Sequence, residues 1–348
     1  MPNVQFEHFH KKYFKAYAEF AWEEWDKSSH QSSENYINWL YNENPCIKNS
    51  KERGFLLALF EDKVVGCIHK MRLMWRVKDQ IEYIPTIHNL MVAENHRRKG
   101  CGMLLLKHSF LDETHGFVPG VIKDQKNIYK FLKCQKVNSC WYRKVLTPFK
   151  GLYYLTKKRF FNHNAPPAFF SSYDFHKIRN RNPYVKITIE PSEGVIEKVV
   201  SRLNEVSLGM VSTYWTMELF KWRFFHPFGP KHLMIYKESG HDINDFLILS
   251  LGPRKGLNIA RIIEMGASSL ETLNILMKSA EKITKLFGGH LLFNFSCSSK
   301  LNEMLVKLKY RIIKTPPNTY FYHKNKKDTF HSFSFNGSAC DLGFESIL

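Results

Sequence analysis

One stretch of the chain, residues 87–106, restricts the possible fold more than any other part of the sequence. Its apolar first part, which ends at Val92, is typical of a buried strand. Gly100 and Gly102 then let the backbone approach a ligand closely, and the apolar residues from Met103 onward have the spacing of one helix face. A strand, a loop and a helix in this order direct backbone N–H groups and a helix N-terminus at one place, which suits a phosphate group.

The same loop carries three consecutive cations, Arg97, Arg98 and Lys99, which add donors for an anionic ligand. It is neither a P-loop, since no Gly-Lys-Ser/Thr follows, nor the three-glycine dinucleotide fingerprint. The pattern Arg97-x-x-Gly100-x-Gly102, between an apolar strand and an apolar helix, resembles motif A of the GNAT acyltransferase superfamily. That motif holds the pyrophosphate of acyl-coenzyme A. A basic surface turn with ordinary glycines is the alternative.

The length and the metal-binding residue types exclude several classes of protein. A chain of 348 residues allows two domains with a core in each. Its seven cysteines form no C-x-x-C pair and its sixteen histidines form no H-E-x-x-H set, so the sequence predicts no metal cofactor and no disulfide framework. The start shows no basic segment followed by an apolar one, and no apolar run is long enough to span a bilayer. The expected location is the cytoplasm, without a membrane partner.

The formal net charge of +19 has three interpretations. The charges solvate the surface, or they bind nucleic acid or an anionic membrane, or they attract small anionic ligands. Basic residues are spread along the chain rather than concentrated in one tail. This distribution favours a solvated surface together with small anionic ligands, and it disfavours nucleic acid.

Residues 1–150 have the element order of a GNAT domain. The patterns predict helices before residue 45, a hairpin, the central strand, a long helix, a strand, a short helix and a last strand at 139–146. The sequence at 128–132, Ile-Tyr-Lys-Phe-Leu, resembles the first half of the family segment Leu-Tyr-x-Lys-x-Gly-Phe. Lys133-Cys134 stands in place of Gly-Phe, so this match is partial.

The same order of elements then repeats over residues 196–348, after an aromatic and basic connector at 151–195. The second copy differs between its central strand and its long helix, where Met265 to Ser269 replaces the basic glycine loop. We therefore predict an α/β fold class with mixed α+β sheets: two GNAT-like domains in tandem, the first binding acyl-coenzyme A and the second, without that loop, forming the substrate side. One GNAT domain joined to an unrelated α/β partner is the alternative.

Transfer of an acyl group from a thioester to an amine requires a polarised carbonyl and a neutral amine. The resemblance implies that a backbone N–H at the end of the central strand, that of Met91 or Val92, polarises the carbonyl. His88 is the first candidate for the base because histidine titrates near neutrality, and Glu82 on the same strand is the second. Tyr129 matches the family tyrosine near the coenzyme sulfur and is the candidate acid. A core hydrogen-bonding role for His88 and a packing role for Tyr129 remain open.

The resemblance also implies a set of acyl-coenzyme A contacts at the strand end, the loop and the two helix starts: Leu90, Met91, Val92, Arg97, Arg98, Lys99, Gly100, Cys101, Gly102, Met103 and Asn127. Cys101 lies inside this set, but no histidine or basic partner is specified beside it. We therefore discount a covalent mechanism through its thiol.

Each half has a tryptophan followed by a proline at the end of a predicted helix, Trp39 with Pro45 and Trp222 with Pro227. These markers, the doubled architecture and the length resemble tandem-GNAT sugar N-acyltransferases. These enzymes acylate the amino group of a nucleotide-linked amino-deoxysugar for bacterial surface polysaccharides. The resemblance implies an acetyl or 3-hydroxybutyryl donor, a dTDP-type sugar acceptor, direct attack in a ternary complex, and a monomer or homodimer. The candidates for stacking on the sugar nucleotide are Tyr214, Trp215, Trp222 and Arg223, with core packing as the alternative.

Two rival functions stay open. One is acyl transfer to an amino acid, a polyamine or a peptide amine. The other is a non-catalytic module that binds acyl-coenzyme A.

Overall fold

The computed structural model describes residues 4–25, 30–47, 55–97, 99–122, 125–170, 184–239, 242–314, 316–325 and 330–340. The helices are α1 (Phe14–Glu24), α2 (Glu34–Tyr41), α3 (Cys101–Phe110), α4 (Lys126–Phe131), α5 (Pro148–Phe161), α6 (Glu193–Val206), α7 (Met217–Phe225), α8 (Leu270–Leu286) and α9 (Ser299–Lys307). The strands are β1 (Gln5–His8), β2 (Leu56–Phe60), β3 (Lys63–Val77), β4 (Gln80–Val92), β5 (His115–Val121), β6 (Gln135–Val137), β7 (Cys140–Val145), β8 (Val185–Thr188), β9 (Val211–Thr213), β10 (His232–Ser239), β11 (Asp242–Arg254), β12 (Leu257–Gly266), β13 (Leu291–Ser296), β14 (Arg311–Ile312), β15 (Asn318–His323) and β16 (Phe333–Ser334).

The chain forms two compact units, each built on a mixed sheet. Unit 1 comprises Met1–Asn138 and Pro317–Ser332, and unit 2 comprises Ser139–Pro316 and Phe333–Leu348. The sheet of unit 1 runs in the order β1-β2-β3-β4-β5-β15-β6, and that of unit 2 in the order β14-β7-β13-β12-β11-β10-β8. Neighbours in these orders are antiparallel except for β4 with β5 and β12 with β13, which are parallel.

The repeated order of elements is confirmed. In the first half α2, β2, β3, β4, α3, β5 and α4 follow one another, and in the second half α7, β10, β11, β12, α8, β13 and α9 do the same. Each parallel pair is joined through its long helix, as a parallel connection requires. The predicted α/β class with two mixed sheets is therefore what the structure shows.

The final strand of each predicted domain lies in the other unit's sheet, which differs from our expectation. β7 was expected to complete the first domain, but it pairs with β13 from Cys140 to Val145. β15 was expected to complete the second, but it pairs with β5 and β6. The edge of a sheet can form backbone hydrogen bonds with a strand from any part of the chain. Local sequence patterns therefore cannot show which sheet a strand joins. The boundary between the units consequently follows Asn138 rather than residue 150.

The segment 151–195 also differs from a simple connector. Most of α5 lies within it, β8 pairs with β10 in the sheet of unit 2, and Phe170 is buried in the core of that unit. The described helix and strand of this segment therefore belong to unit 2.

One face of the unit 1 sheet packs against α3. Leu105, Leu106 and Phe110 are buried there with Ile68 and Ile87. Full burial of such a side chain stabilises the fold by about 1.5–3 kcal/mol. This packing fixes the start of α3 beside the end of β4, which is the region that the sequence singles out.

No helix in the described ranges combines the length and the apolar character that crossing a bilayer requires.

Substitution of Gly116 on β5 tests the contact between β5 and α3. An added Cβ would lie 2.3 Å from Cε1 of the buried Phe110, whose ring stacks on Tyr322. Gly116→Ala should therefore lower the free energy of unfolding by about 1–3 kcal/mol. Gly194→Ala in α6 is the control, since nothing lies within 4 Å of its added Cβ and it should stabilise by up to about 1 kcal/mol. Urea unfolding measures both, and equal midpoints for the two variants would contradict the packing described.

Candidate active site

The parallel strands β4 and β5 separate before they end. Thr86 and Phe117 are the only paired residues of these strands in the part of the chain that the structure describes. Beyond them, β4 continues to Val92 and β5 to Val121. The facing backbone edges are thus open to a ligand at the carboxyl ends of the strands, which is where open α/β sheets bind ligands.

β4 contains one extra residue beside β3. His88 lies opposite His69, whereas Met91 lies opposite Cys67, so three steps along β4 match two along β3. Asn89 absorbs the difference with a left-handed φ of 50°, a conformation that asparagine adopts more readily than most residues. Such a bulge bends a strand and re-aims the residues that follow it.

Met91 and Val92 are the two candidates for the backbone N–H that polarises the thioester carbonyl. The directions of their N–H groups distinguish between them. The Ala93 N–H donates to the Val65 carbonyl on β3 at 2.9 Å, and the Met91 N–H lies against the Cys67 side chain. Since successive N–H groups of a strand point to opposite sides, the Val92 N–H points away from β3. It therefore faces the opening between β4 and β5.

Two side chains hold the bulge: Gln31, which lies between α1 and α2, and Tyr36 on α2. The Asn89 amide donates to the Tyr36 hydroxyl at 3.3 Å and accepts from the Gln31 amide at 3.4 Å. The Gln31 carbonyl in turn accepts from the Tyr17 hydroxyl at 2.8 Å. Tyr17 on α1 and Tyr36 on α2 are fully buried, so both anchors are fixed. Sequence patterns did not single out these residues, although an asparagine at the end of a buried strand is a signal for a left-handed backbone.

The loop after β4 has the conformation that an anion site needs. Gly100 has a φ of 79° and precedes the first turn of α3, and Lys99 is exposed beside it. A Cβ on Gly102 would lie 3.5 Å from Cγ2 of Val92, so α3 begins directly next to the end of β4. The first N–H groups of a helix have no partner inside it and carry partial positive charge. Arg98 lies outside the described residues.

Arg97 is directed back toward the strand. Its Nε donates to the Val92 carbonyl at 2.8 Å, and its Nη2 binds Glu24 of α1 at 2.5 Å. The guanidinium therefore joins the end of β4 to α1. Glu24 is a further residue that the sequence did not suggest.

Cys101 and Tyr129 lie in the core next to this loop. Both belong to the buried cluster that also contacts Val92 and Leu90. Burial raises the pKa of Cys101 to about 11 and raises that of Tyr129, so both groups keep their protons at neutral pH. The Tyr129 ring stacks on Tyr320 at 5.1 Å. An uncharged, buried thiol is a poor nucleophile, in agreement with the discounted covalent route.

Two further predicted contacts of the coenzyme lie at the surface. Met103 is exposed in the first turn of α3, and Asn127 is exposed at the start of α4.

The two candidate bases are far apart. His88 is buried, and its ring lies 5.6 Å from that of His69, whose Nε2 is 3.0 Å from the Tyr17 hydroxyl. Burial lowers the pKa of His69, and His88 adds to that effect. Glu82 lies six residues earlier, which is about 20 Å along an extended strand, and it binds His115 at 2.7 Å. The structure thus places Glu82 at the opposite end of β4 from the opening.

The four residues chosen for substrate stacking do not form an open surface. Trp215, Trp222 and Arg223 are only 2%, 3% and 0% exposed inside unit 2, and Tyr214 alone is partly exposed. Large aromatic side chains bury much apolar area, and Arg223 is occupied by the carbonyls of Ser338 and Cys340 at 3.1 Å. The packing alternative describes these three residues correctly.

In unit 2, groups of the protein itself occupy the start of α8, the helix equivalent to α3. Ser269 and Thr272 form a capping box at the N-terminus of α8. The buried carboxylate of Asp245 accepts from the backbone N–H and the hydroxyl of Ser268, at 2.7 and 2.8 Å. A negative charge of the protein itself therefore stands beside the turn where a phosphate would approach. Across the described ranges, no three His, Cys, Asp or Glu side chains converge as a metal site requires.

Part of the chain matches a known family. Residues 14–110 match the model of the acetyltransferase (GNAT) family, so the chain contains a GNAT acetyltransferase family domain, which spans β4, the loop and α3. This match supports an acyl-CoA-dependent N-acyltransferase. No curated protein matches the sequence.

Solved structures show the same fold over most of the chain. N-myristoyltransferase from Saccharomyces cerevisiae with bound myristoyl-CoA has a TM-score of 0.64 at 14% identity, over 92% of this chain and 83% of that chain. A GCN5-related N-acetyltransferase from Anabaena variabilis has a TM-score of 0.56 at 11% identity, covering 92% and 72%. Another from Kribbella flavida has a TM-score of 0.53 at 12% identity, covering 92% and 70%. At these identities the likeness concerns the fold.

Proposed function

We propose that unit 1 binds acyl-coenzyme A and transfers its acyl group to a primary amine by direct attack in a ternary complex. The observation that carries this proposal is the opening between β4 and β5, which the Val92 N–H faces and beside which α3 begins. β4 with the Val92 N–H and the start of α3 lie within the segment that matches the GNAT family, and β5 follows it directly.

The diphosphate of the coenzyme binds at the loop and the start of α3. Gly100 and Gly102 bring backbone N–H groups close to it, the helix dipole favours its charge, and Lys99 supplies an exposed cation. Arg97 has a different role from the one expected, since its contacts with Val92 and Glu24 fix the strand end rather than reach outward.

The Val92 N–H stabilises the thioester oxygen as it becomes negatively charged. A donor fixed at that position before the reaction acts most strongly in the transition state. Asn89 keeps this N–H in place through the bulge, and Tyr36 and Gln31 keep Asn89 in place.

Proton transfers complete the reaction. The neutral amine attacks the thioester carbon, the carbon–sulfur bond breaks, and the amine loses one proton while the thiolate gains one. Tyr129 is the acid in this proposal, since its raised pKa keeps the hydroxyl protonated and it belongs to the cluster against which Leu90 and Val92 pack. His88 remains the proposed base because it lies on β4 next to the bulge, whereas Glu82 is too far away.

The acceptor proposed from the sequence is a dTDP-type amino-deoxysugar of surface polysaccharide biosynthesis. The net charge of +19 supports an acceptor that carries a diphosphate. A peptide amine is the second candidate, as the sequence left open, and the fold also resembles that of an N-myristoyltransferase with bound myristoyl-CoA. Long acyl chains such as myristoyl therefore belong in the test beside acetyl and 3-hydroxybutyryl.

Coenzyme binding is confined to unit 1 in this proposal. In unit 2, Asp245 and the capping box of Ser269 already accept hydrogen bonds from backbone N–H groups at the start of α8. A phosphate there would meet a buried carboxylate instead of free N–H groups and a cation.

The coenzyme site predicts how variants of Gly102 bind. Gly102→Trp places an indole against Val92 and should abolish calorimetric binding of acetyl-coenzyme A, because the helix start is no longer accessible. Gly194→Trp in the exposed first turn of α6 is the matched control and should bind like the parent protein. Both should unfold at nearly the same temperature as the parent. Equal affinity of the two variants would contradict the placement of the site.

The acceptor class is tested by free-thiol release from acetyl-, 3-hydroxybutyryl- and myristoyl-coenzyme A. The amines are dTDP- and UDP-linked amino-deoxysugars, lysine, spermidine and a peptide with a free N-terminus. Turnover restricted to a nucleotide sugar is the expected result. Turnover on the peptide or on lysine alone would overturn the sugar proposal and leave the coenzyme site intact.

Two variants of Asn89 test the role of the bulge with the amine that this panel identifies. Asn89→Ala loses the amide contacts and strains a left-handed backbone, which costs about 1–2 kcal/mol, so we expect kcat to fall about tenfold or more. Asn89→Gly loses only the amide contacts, so its kcat should fall less than that of Asn89→Ala. The KM for the acyl donor should change little in both. A parental kcat in the folded alanine variant would contradict the proposed positioning of the Val92 N–H.

A further inference from the structure

Helix α5 exposes an apolar surface on unit 2. Phe149, Leu152 and Phe160 are 88%, 64% and 68% exposed, and Tyr153 is half exposed. Side chains of this type are usually buried in folded proteins. Contiguous exposed apolar surface of this kind marks an interaction site.

These four side chains share one face of the helix. At 100° per residue, Phe149, Tyr153 and Phe160 lie within about 40° of one line, and Leu152 lies about 60° to one side. The opposite face carries Gly151, which is buried, and Tyr154, whose ring contacts His290 at 5.4 Å. The helix therefore contacts unit 2 through the side that carries Gly151 and Tyr154 and exposes the apolar stripe on the other side. Leu155 and Phe161, which flank the contact side, are exposed as well.

Cations border the stripe on both sides. Lys150 and Lys157 lie about 80–100° from its centre on one side, and Arg159 lies about 80° from it on the other. The Lys157 ammonium is 4.9 Å from the centre of the Tyr153 ring, and the Arg159 guanidinium is 5.7 Å from that of Phe160. The sequence from Pro148 to Phe161 contains no acidic residue.

We propose that α5 docks on an anionic membrane surface, lying in the plane of the bilayer. Aromatic rings enter the boundary between headgroups and acyl chains, while flanking lysine and arginine side chains reach the lipid phosphates and carboxylates. A protein partner would have to bury the bordering cations together with the rings, which is costly unless each is paired. With 14 residues, the helix is about 21 Å long and too short to span the hydrocarbon core of about 30 Å.

This proposal departs from our prediction that the protein has no membrane partner. The sequence marks this region only as an aromatic and basic connector, because a sequence does not show which aromatic side chains face outward. Docking is independent of the proposed acyl transfer, since no residue of the stripe belongs to the coenzyme site.

Vesicle sedimentation with the full chain tests the proposal. The probes are vesicles of equal parts phosphatidylserine and phosphatidylcholine, and vesicles of phosphatidylcholine alone. We expect binding to the anionic vesicles that weakens as salt is added. Phe149→Ser with Phe160→Ser should lower the partition coefficient by at least about tenfold, and Lys150→Glu with Lys157→Glu should lower it on anionic vesicles only. Phe228→Ser, which removes another exposed ring of unit 2, is the matched control and should bind like the parent.

Three results would overturn the proposal. The parent protein fails to bind anionic vesicles, or the Phe149→Ser, Phe160→Ser variant binds as well as the parent. In the third, light scattering without lipid shows a dimer that this variant no longer forms, and vesicles are not bound, so the stripe joins two copies of the chain. Circular dichroism confirms that each variant is folded. Thiol release in solution should be unchanged by all of them, which separates this test from that of the acyl transfer.

Discussion

Strand β4 has one residue more than β3 beside it, and the left-handed backbone of Asn89 accommodates that residue. The geometry of the site depends on this bulge. It lies between the last residues paired with β5 and the point where α3 begins, so it decides which N–H groups face the opening. Tyr36 and Gln31 hold Asn89, and Arg97 holds the Val92 carbonyl, so the strand end is fixed from both sides. In our account a backbone N–H, rather than a side chain, is the feature that the fold positions most firmly.

Unit 2 has the same strand arrangement, but different groups lie at the end of its central strand, β12. β12 has an extra residue at the corresponding place, since Glu264 lies opposite Ile248 and Ile262 opposite Leu249. The buried Glu264 carboxylate accepts hydrogen bonds from Asn336 and Ser338, both of which follow β16 in the chain. Burial raises the pKa of Glu264, which these hydrogen bonds partly offset. Protein groups therefore satisfy the polar atoms at this strand end, whereas in unit 1 the corresponding edge faces an opening.

Much of the fold could be predicted from the sequence. The repeated elements from α2 to α4 and from α7 to α9 follow from apolar spacing, whereas α5 and α6 were not predicted. The loop at Gly100 follows from its glycines and its place between a strand and a helix. The exchange of β7 and β15 could not be predicted, because backbone pairing has no local sequence signal. Spacing also cannot show which side of an element meets solvent. For this reason Trp222 and Arg223 were candidates for a surface that they do not form, and the exposed stripe on α5 was not predicted. Glu82 was placed on the correct strand, but distance along the strand separates it from the site.

Hydrogen–deuterium exchange of the full chain, with and without a non-transferable thioether analogue of acetyl-coenzyme A, tests the central claim most directly. Our account predicts slower exchange in peptides that cover residues 90–104, where the Val92 N–H and the first N–H groups of α3 meet the ligand. It predicts no change in peptides that cover residues 263–272 of unit 2. Protection of residues 263–272 without protection of residues 90–104 would contradict the assignment of the coenzyme to unit 1.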